Sequence, residues 1–152
     1  MKQAAAQGAS TEKPAKQVAL IIAGPTCSGK SALALAVAQR LGGTIINADS
    51  MQVYKELHVL TARPSAADEQ LVPHQLYGVL PAADKGSVAW WRNQALTAMQ
   101  AAWAQGRLPI LCGGTGMYMR ALTDGLAEIP DCGESARNEA RTFVAEHGPE
   151  AL

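Results

Sequence analysis

The sequence predicts an α/β fold, a parallel sheet flanked by helices. Three observations carry that prediction. Short segments carrying branched apolar residues recur at 18–23, 44–47 and 108–112, the first an unbroken apolar run, as expected of buried parallel strands. Helix-forming segments closed by glycine alternate with those runs. The first and last runs also lead straight into glycine, which places turns at the carboxyl edge of the sheet, where open α/β sheets bind ligands.

The elements follow in chain order. The opening sixteen residues, MKQAAAQGASTEKPAK, hold no apolar run and read as a disordered tail rather than a signal peptide. Val18 to Ala23 reads as a strand buried on both faces. From Lys30, KSALALAVAQRL has strong helix formers with apolar residues on several faces, so a buried crossover helix is expected, stopped by Gly42 and Gly43. Thr44 to Asn47 forms the second strand and delivers Asp49 and Ser50 to the sheet edge.

Residues 53–73 are loop-like, with a short helix over 66–71, and a third strand is expected over 74–79. Ser87 can cap a helix from Val88 to Gln105, with Gly106 behind it. Leu108 to Cys112 is the fourth strand; a helical turn follows through Leu122, then a charged helix over 134–147. No fifth strand is legible, so the sheet reads as incomplete. The organisation is a tail (1–16), an α/β core (17–126) and the start of a helical insertion (127–152).

Composition sets limits on function. The 152 residues are 48% hydrophobic and 17% charged, enough to build one core. Acids and bases balance at 13 each, so overall charge advertises neither a nucleic-acid nor a membrane surface. Cys27, Cys112 and Cys132 form no CxxC pair, which argues against a disulfide framework or a zinc site and fits the cytoplasm. No run is long enough to cross a membrane.

Gly24, Pro25, Thr26, Cys27, Ser28, Gly29, Lys30 and Ser31 match GxxxxGK[ST] between a predicted strand and a predicted helix, the context that makes this phosphate loop specific. The fold class is therefore P-loop NTPase-like. Glycines let successive N–H groups curl around an anion, and the helix N-terminus adds partial positive charge. Lys30 neutralises phosphate oxygens, and the Ser31 hydroxyl suits a Mg2+ ion bridging them.

An ordinary nucleotide hydrolase carries an acid at the end of a second apolar strand, but Leu108 to Cys112 runs into glycines instead. The acid so placed is Asp49. It can orient Mg2+, as in small-molecule kinases using ATP, accept a proton from an attacking group, or merely close a turn.

Five blocks carry a more specific signal: GPTCSGKS, NADSMQVY at 47–54, TARP at 61–64, VPHQL at 72–76 and GGTGMY at 113–118. In order and spacing they resemble the tRNA dimethylallyltransferase (IPP transferase) family from residue 17 to about 126. The resemblance implies transfer of a dimethylallyl group from dimethylallyl diphosphate to N6 of an adenosine beside the anticodon of tRNA, releasing pyrophosphate. The P-loop then holds pyrophosphate rather than ATP, with Mg2+, and the complete enzyme is expected to be a monomer.

On this resemblance Asp49, Lys30 and Thr115 are the catalytic candidates. Asp49, Ser50, Met51, Gln52, Thr115 and Arg137 are the candidate tRNA contacts. The sequence departs from the family at Cys27, where a small residue is usual. Leu60 and Arg63 replace the glycine and lysine of a GTAKP-like block, and Gln75 replaces a second histidine. Two alternatives stand beside this reading: a P-loop small-molecule kinase, and an inactive pyrophosphate-binding fragment whose unpaired sheet edge favours self-association.

The remaining chemistry-bearing residues read as structural. His58, His74 and His147 are too scattered for a metal site. Trp90, Trp91 and Trp103 share one helix and are expected in the core, while Arg120, Arg137 and Arg141 chiefly solvate helices. Cys27, beside helix N-terminal amides, is a candidate reactive thiol.

Overall fold

A computed structural model of the chain describes residues 17–127 and 132–151. The tail expected over 1–16 lies outside them. The chain runs β1 (Leu20–Ala23), α1 (Lys30–Leu41), β2 (Gly43–Asn47), α2 (Ala66–Leu71), β3 (His74–Gln75), α3 (Val88–Ala104), β4 (Leu108–Gly113), α4 (Gly116–Thr123) and α5 (Gly133–His147), followed by a 3-10 turn at Pro149–Ala151. The strands form one parallel sheet in the order β1-β4-β2-β3.

Register aligns the functional loops. Ala23 lies opposite Gly113, and Asn47 opposite Cys112, so β1, β4 and β2 end at one edge of the sheet. The turns after these strands therefore open side by side. Alternation along β2 and β4 builds a core on each face: Ile45, Ile110 and Cys112 pack with Ala34 and Ala38 of α1, while Ile46 and Leu111 pack with Trp91, Ala95, Met99 and Tyr118 from α3 and α4. Trp91 is fully buried and stacks on Tyr118 with ring centroids 4.2 Å apart. Trp90 and Trp103 pack at the margin of the same cluster, as expected of core tryptophans.

The burial expected for β1 is not found. Among the described residues it pairs with β4 alone, and Leu20 and Ile21 are 36% and 39% exposed. An apolar run reports the capacity for burial, whereas burial itself needs a neighbour on each side. Helix α1 departs in the same sense. Only Ala34 and Ala38 are buried, and Leu33 and Leu41 face solvent, because α1 covers the sheet through a narrow alanine stripe.

The third strand is shorter than its apolar pattern predicts, two residues rather than 74–79. Leu76 turns into the left-handed region (φ 64°), as does Gly78 (φ 57°), which ends the ladder. The chain then pairs elsewhere: Gly78 N–H donates to the Gln52 carbonyl and Leu80 N–H to the Val53 carbonyl, both at 2.9 Å. Helix α2 starts at a full capping box, Ser65 with Asp68. The charged helix expected near the end of the chain is present as α5, which buries no residue.

Candidate active site at the phosphate loop

The turn from Gly24 to Gly29 folds back on itself through two left-handed residues, Cys27 (φ 61°) and Gly29 (φ 83°). Glycine adopts that conformation without cost, whereas at Cys27 it stores strain, a frequent mark of functional loops. Lys30 Nζ donates to the Pro25 carbonyl at 2.6 Å, closing the loop across its mouth. A cavity of about 230 Å³ lies over it, lined by Thr26, Cys27, Ser28, Gly29, Lys30 and Ser31, and completed by Asp49, Gln52, Thr61 and Ala62.

Asp49 is placed by a residue that the sequence reading did not single out. Asn47, wholly buried at the end of β2, accepts from Asp49 N–H at 2.8 Å and donates to the carbonyls of Asp49 (3.0 Å) and Leu76 (3.1 Å). Its own carbonyl accepts from the Trp91 indole at 2.8 Å. Asp49 Oδ1 in turn accepts from Met51 N–H at 2.9 Å, so the carboxylate closes a turn and still lines the cavity. Asn at the end of a buried strand is the signal that could have found this support, since a buried amide must be hydrogen-bonded.

Ser50 and Thr115 meet behind the cavity. Thr115 Oγ1 accepts from Ser50 N–H at 2.9 Å and donates to Ser50 Oγ at 3.3 Å. Neither lines the cavity, so their hydroxyls tie the turn after β2 to the start of α4. Gly113 permits this closeness: a Cβ there would sit 2.2 Å from the Ala48 carbonyl carbon and oxygen. Gln52 donates to the Thr61 carbonyl at 2.7 Å, and Met51 is exposed.

Arg137 is not brought to the cavity; it pairs with Glu134 at 3.6 Å on the exposed α5. Arg120 and Arg141 form similar surface pairs, with Asp124 and Glu134. A second cavity of about 250 Å³ adjoins the first and shares Ser31, Ala32, Ala62 and Cys112 with it. Burial raises the Cys112 thiol pKa, with Lys30 opposing and Asp49 adding to the shift, and burial also raises the Tyr77 phenol well above its ordinary value.

A Mg2+ ion fits this donor set. Among the described residues no cluster of three His, Cys, Asp or Glu side chains forms a metal cage. The cavity instead offers the Ser31 hydroxyl, a hard oxygen donor of the kind that holds Mg2+ jointly with substrate phosphates.

Residues 52–152 match the family model described as IPP transferase, and residues 17–77 match the one described as isopentenyl transferase. The chain belongs to the IPP transferase family. Relatives include the tRNA dimethylallyltransferase of Granulibacter bethesdensis, 70% identical over 88% of this chain and 42% of that protein. The enzyme of the same name from Gluconobacter oxydans is 70% identical over 90% of this chain and 41% of that protein. The full-length tRNA isopentenylpyrophosphate transferase of Bacillus halodurans superimposes with a TM-score of 0.72 at 34% identity, over 90% of this chain and 45% of that one. The chain thus spans less than half the length of these relatives.

Proposed function

We propose that these residues form the donor half of a tRNA dimethylallyltransferase site, acting in the cytoplasm on dimethylallyl diphosphate and an adenosine beside the anticodon. The observation that carries this reading is the juxtaposition, in one cavity, of an anion-binding loop and a half-buried carboxylate, Asp49. A kinase and a prenyltransferase both need the loop. The five sequence blocks and the family favour the second.

The diphosphate binds over the N–H groups of Gly29, Lys30 and Ser31, with Lys30 Nζ turning from the Pro25 carbonyl to the phosphate oxygens. Mg2+ at Ser31, when bound, offsets the charge that grows on pyrophosphate as the allylic C–O bond breaks. The adenosine N6 electron pair forms the new bond to C1, the C–O pair leaves with pyrophosphate, and the N6 proton passes to Asp49. Asn47 keeps Asp49 at the rim while this occurs.

Calorimetric titration with dimethylallyl diphosphate and, separately, ATP, each with Mg2+, tests the reading, with Lys30→Ala as control. Lys30-dependent preference for the prenyl diphosphate is expected. Preference for ATP would establish a kinase instead, and binding of neither would leave an inactive fold.

A further inference from the structure

We infer that Arg63 is a positioning residue for the acceptor nucleoside, acting through Thr61 and Gln52; this rests on the proposed transferase function. The Arg63 guanidinium spans the neck of the loop that walls the phosphate cavity. Its Nη1 reaches the carbonyls of Tyr54 (3.4 Å) and Lys55 (3.3 Å), and its backbone N–H donates to the His58 carbonyl at 3.3 Å. One side chain therefore grips both ends of the segment 54–63.

The guanidinium lies flat on Gly78. A Cβ at that position would stand 2.0–2.4 Å from three guanidinium atoms, so the glycine, already left-handed at φ 57°, makes room for the clasp. Gly78 in turn donates to the Gln52 carbonyl at 2.9 Å. Arg63 Nε is buried without a partner among the described residues, so the clasp is kept despite an unsatisfied donor.

Two residues before the clasp, the Thr61 carbonyl accepts one N–H of the Gln52 amide at 2.7 Å. That bond fixes the amide plane while Gln52 lines the cavity beside Asp49. The Oε1 atom and the second N–H of Gln52 stay available, and they match the donor and acceptor that an adenine presents at its amino edge. The Arg63 side chain shares the adjoining cavity with Ser31, but its hydrogen bonds go to the Tyr54 and Lys55 carbonyls and not to the phosphate loop, so its effect is expected on the acceptor rather than the donor. A lysine ammonium, with three donors, can reach the same two carbonyls but cannot lie as a flat fork on Gly78.

Steady-state prenylation of an anticodon stem-loop RNA by the intact protein tests this, using Arg63→Ala, Arg63→Lys, Gln52→Ala and the double variant Arg63→Ala/Gln52→Ala, each first shown to be folded by its melt. Arg63→Ala should raise the RNA KM by about tenfold, the order of one hydrogen bond, with the donor KM unchanged. Arg63→Lys should recover part of that loss, and the double variant should be no worse than Gln52→Ala alone. An Arg63→Ala enzyme whose two KM values both move, or neither, overturns the assignment, as does additivity in the double variant. Absence of any Lys30-dependent transfer in the unmodified protein refutes the transferase reading itself, and this inference with it.

Discussion

Asn47→Ala is the substitution whose cost the structure determines most directly. Three hydrogen bonds disappear, two donated by the amide and one accepted by it, each with a net worth of about 1 kcal/mol. The Leu76 carbonyl, within the core, also loses the amide that satisfied it, so the total is about 3–4 kcal/mol, a large part of a domain stability of about 5–15 kcal/mol. Urea unfolding followed by tryptophan fluorescence reads it, because Trp91 is buried, bonded to Asn47 and stacked on Tyr118. The isosteric Asn47→Asp keeps the acceptor for Asp49 N–H but turns a carboxylate toward two carbonyls. Burial then raises its pKa. The neutral acid can donate where the carboxylate cannot, so the lost stability returns as pH falls from 7 toward about 4, the unfolded value, and is absent above the folded pKa. An Asn47→Ala protein destabilised by less than about 1 kcal/mol, or an Asn47→Asp protein no more stable at acid pH relative to the unmodified chain, would refute the role of Asn47 as the support of Asp49.

Other outcomes follow from the same geometry. Gly113→Ala forces a Cβ into the Ala48 carbonyl and should lower stability by about 3 kcal/mol while weakening diphosphate binding, both measurable by a melt with and without ligand. A thiol reagent at neutral pH should label the exposed Cys27 and Cys132 quickly but the buried Cys112 only on unfolding; pyrophosphate should slow Cys27 alone. Alkaline titration should erode stability above pH 9 and further above pH 10, the ordinary values of a thiol and a phenol. Cys112 and Tyr77 hold their protons in the fold and lose them in the unfolded chain, so their contribution is complete below those values and lost above them; unfolding curves at graded pH would show it.

What was legible in the sequence is what local chemistry encodes. The phosphate loop needs glycines, a lysine and a serine within eight consecutive residues, and the structure builds the loop there. Asp49 was legible because the end of a buried strand fixes its place at the sheet edge. Asn47 was not singled out, and Arg63 was marked only as a departure from a family block, since their partners, Leu76 and Gly78, become neighbours only after the chain turns at Leu76. The exposure of β1 was hidden for a related reason: hydropathy describes a strand but not how many strands lie beside it. The shortness of β3 followed from the left-handed turn of Leu76, a leucine conformation that no sequence pattern announces.

The two halves of the site consequently differ in how they are held. The phosphate loop is closed by a short-range contact, Lys30 to Pro25, and by its own backbone turns. The side that carries Asp49 and Gln52 depends on bonds between distant segments: Asn47 to Leu76, Ser50 to Thr115, and the Arg63 clasp near Gly78. Local structure survives partial opening better than long-range contacts do. Mild destabilisation should therefore leave diphosphate binding in place while Asp49 and Gln52 lose their registration. On the proposed function, transfer fails before donor binding does, and hydrogen exchange is expected to show the 49–63 amides opening at lower denaturant than those of α1.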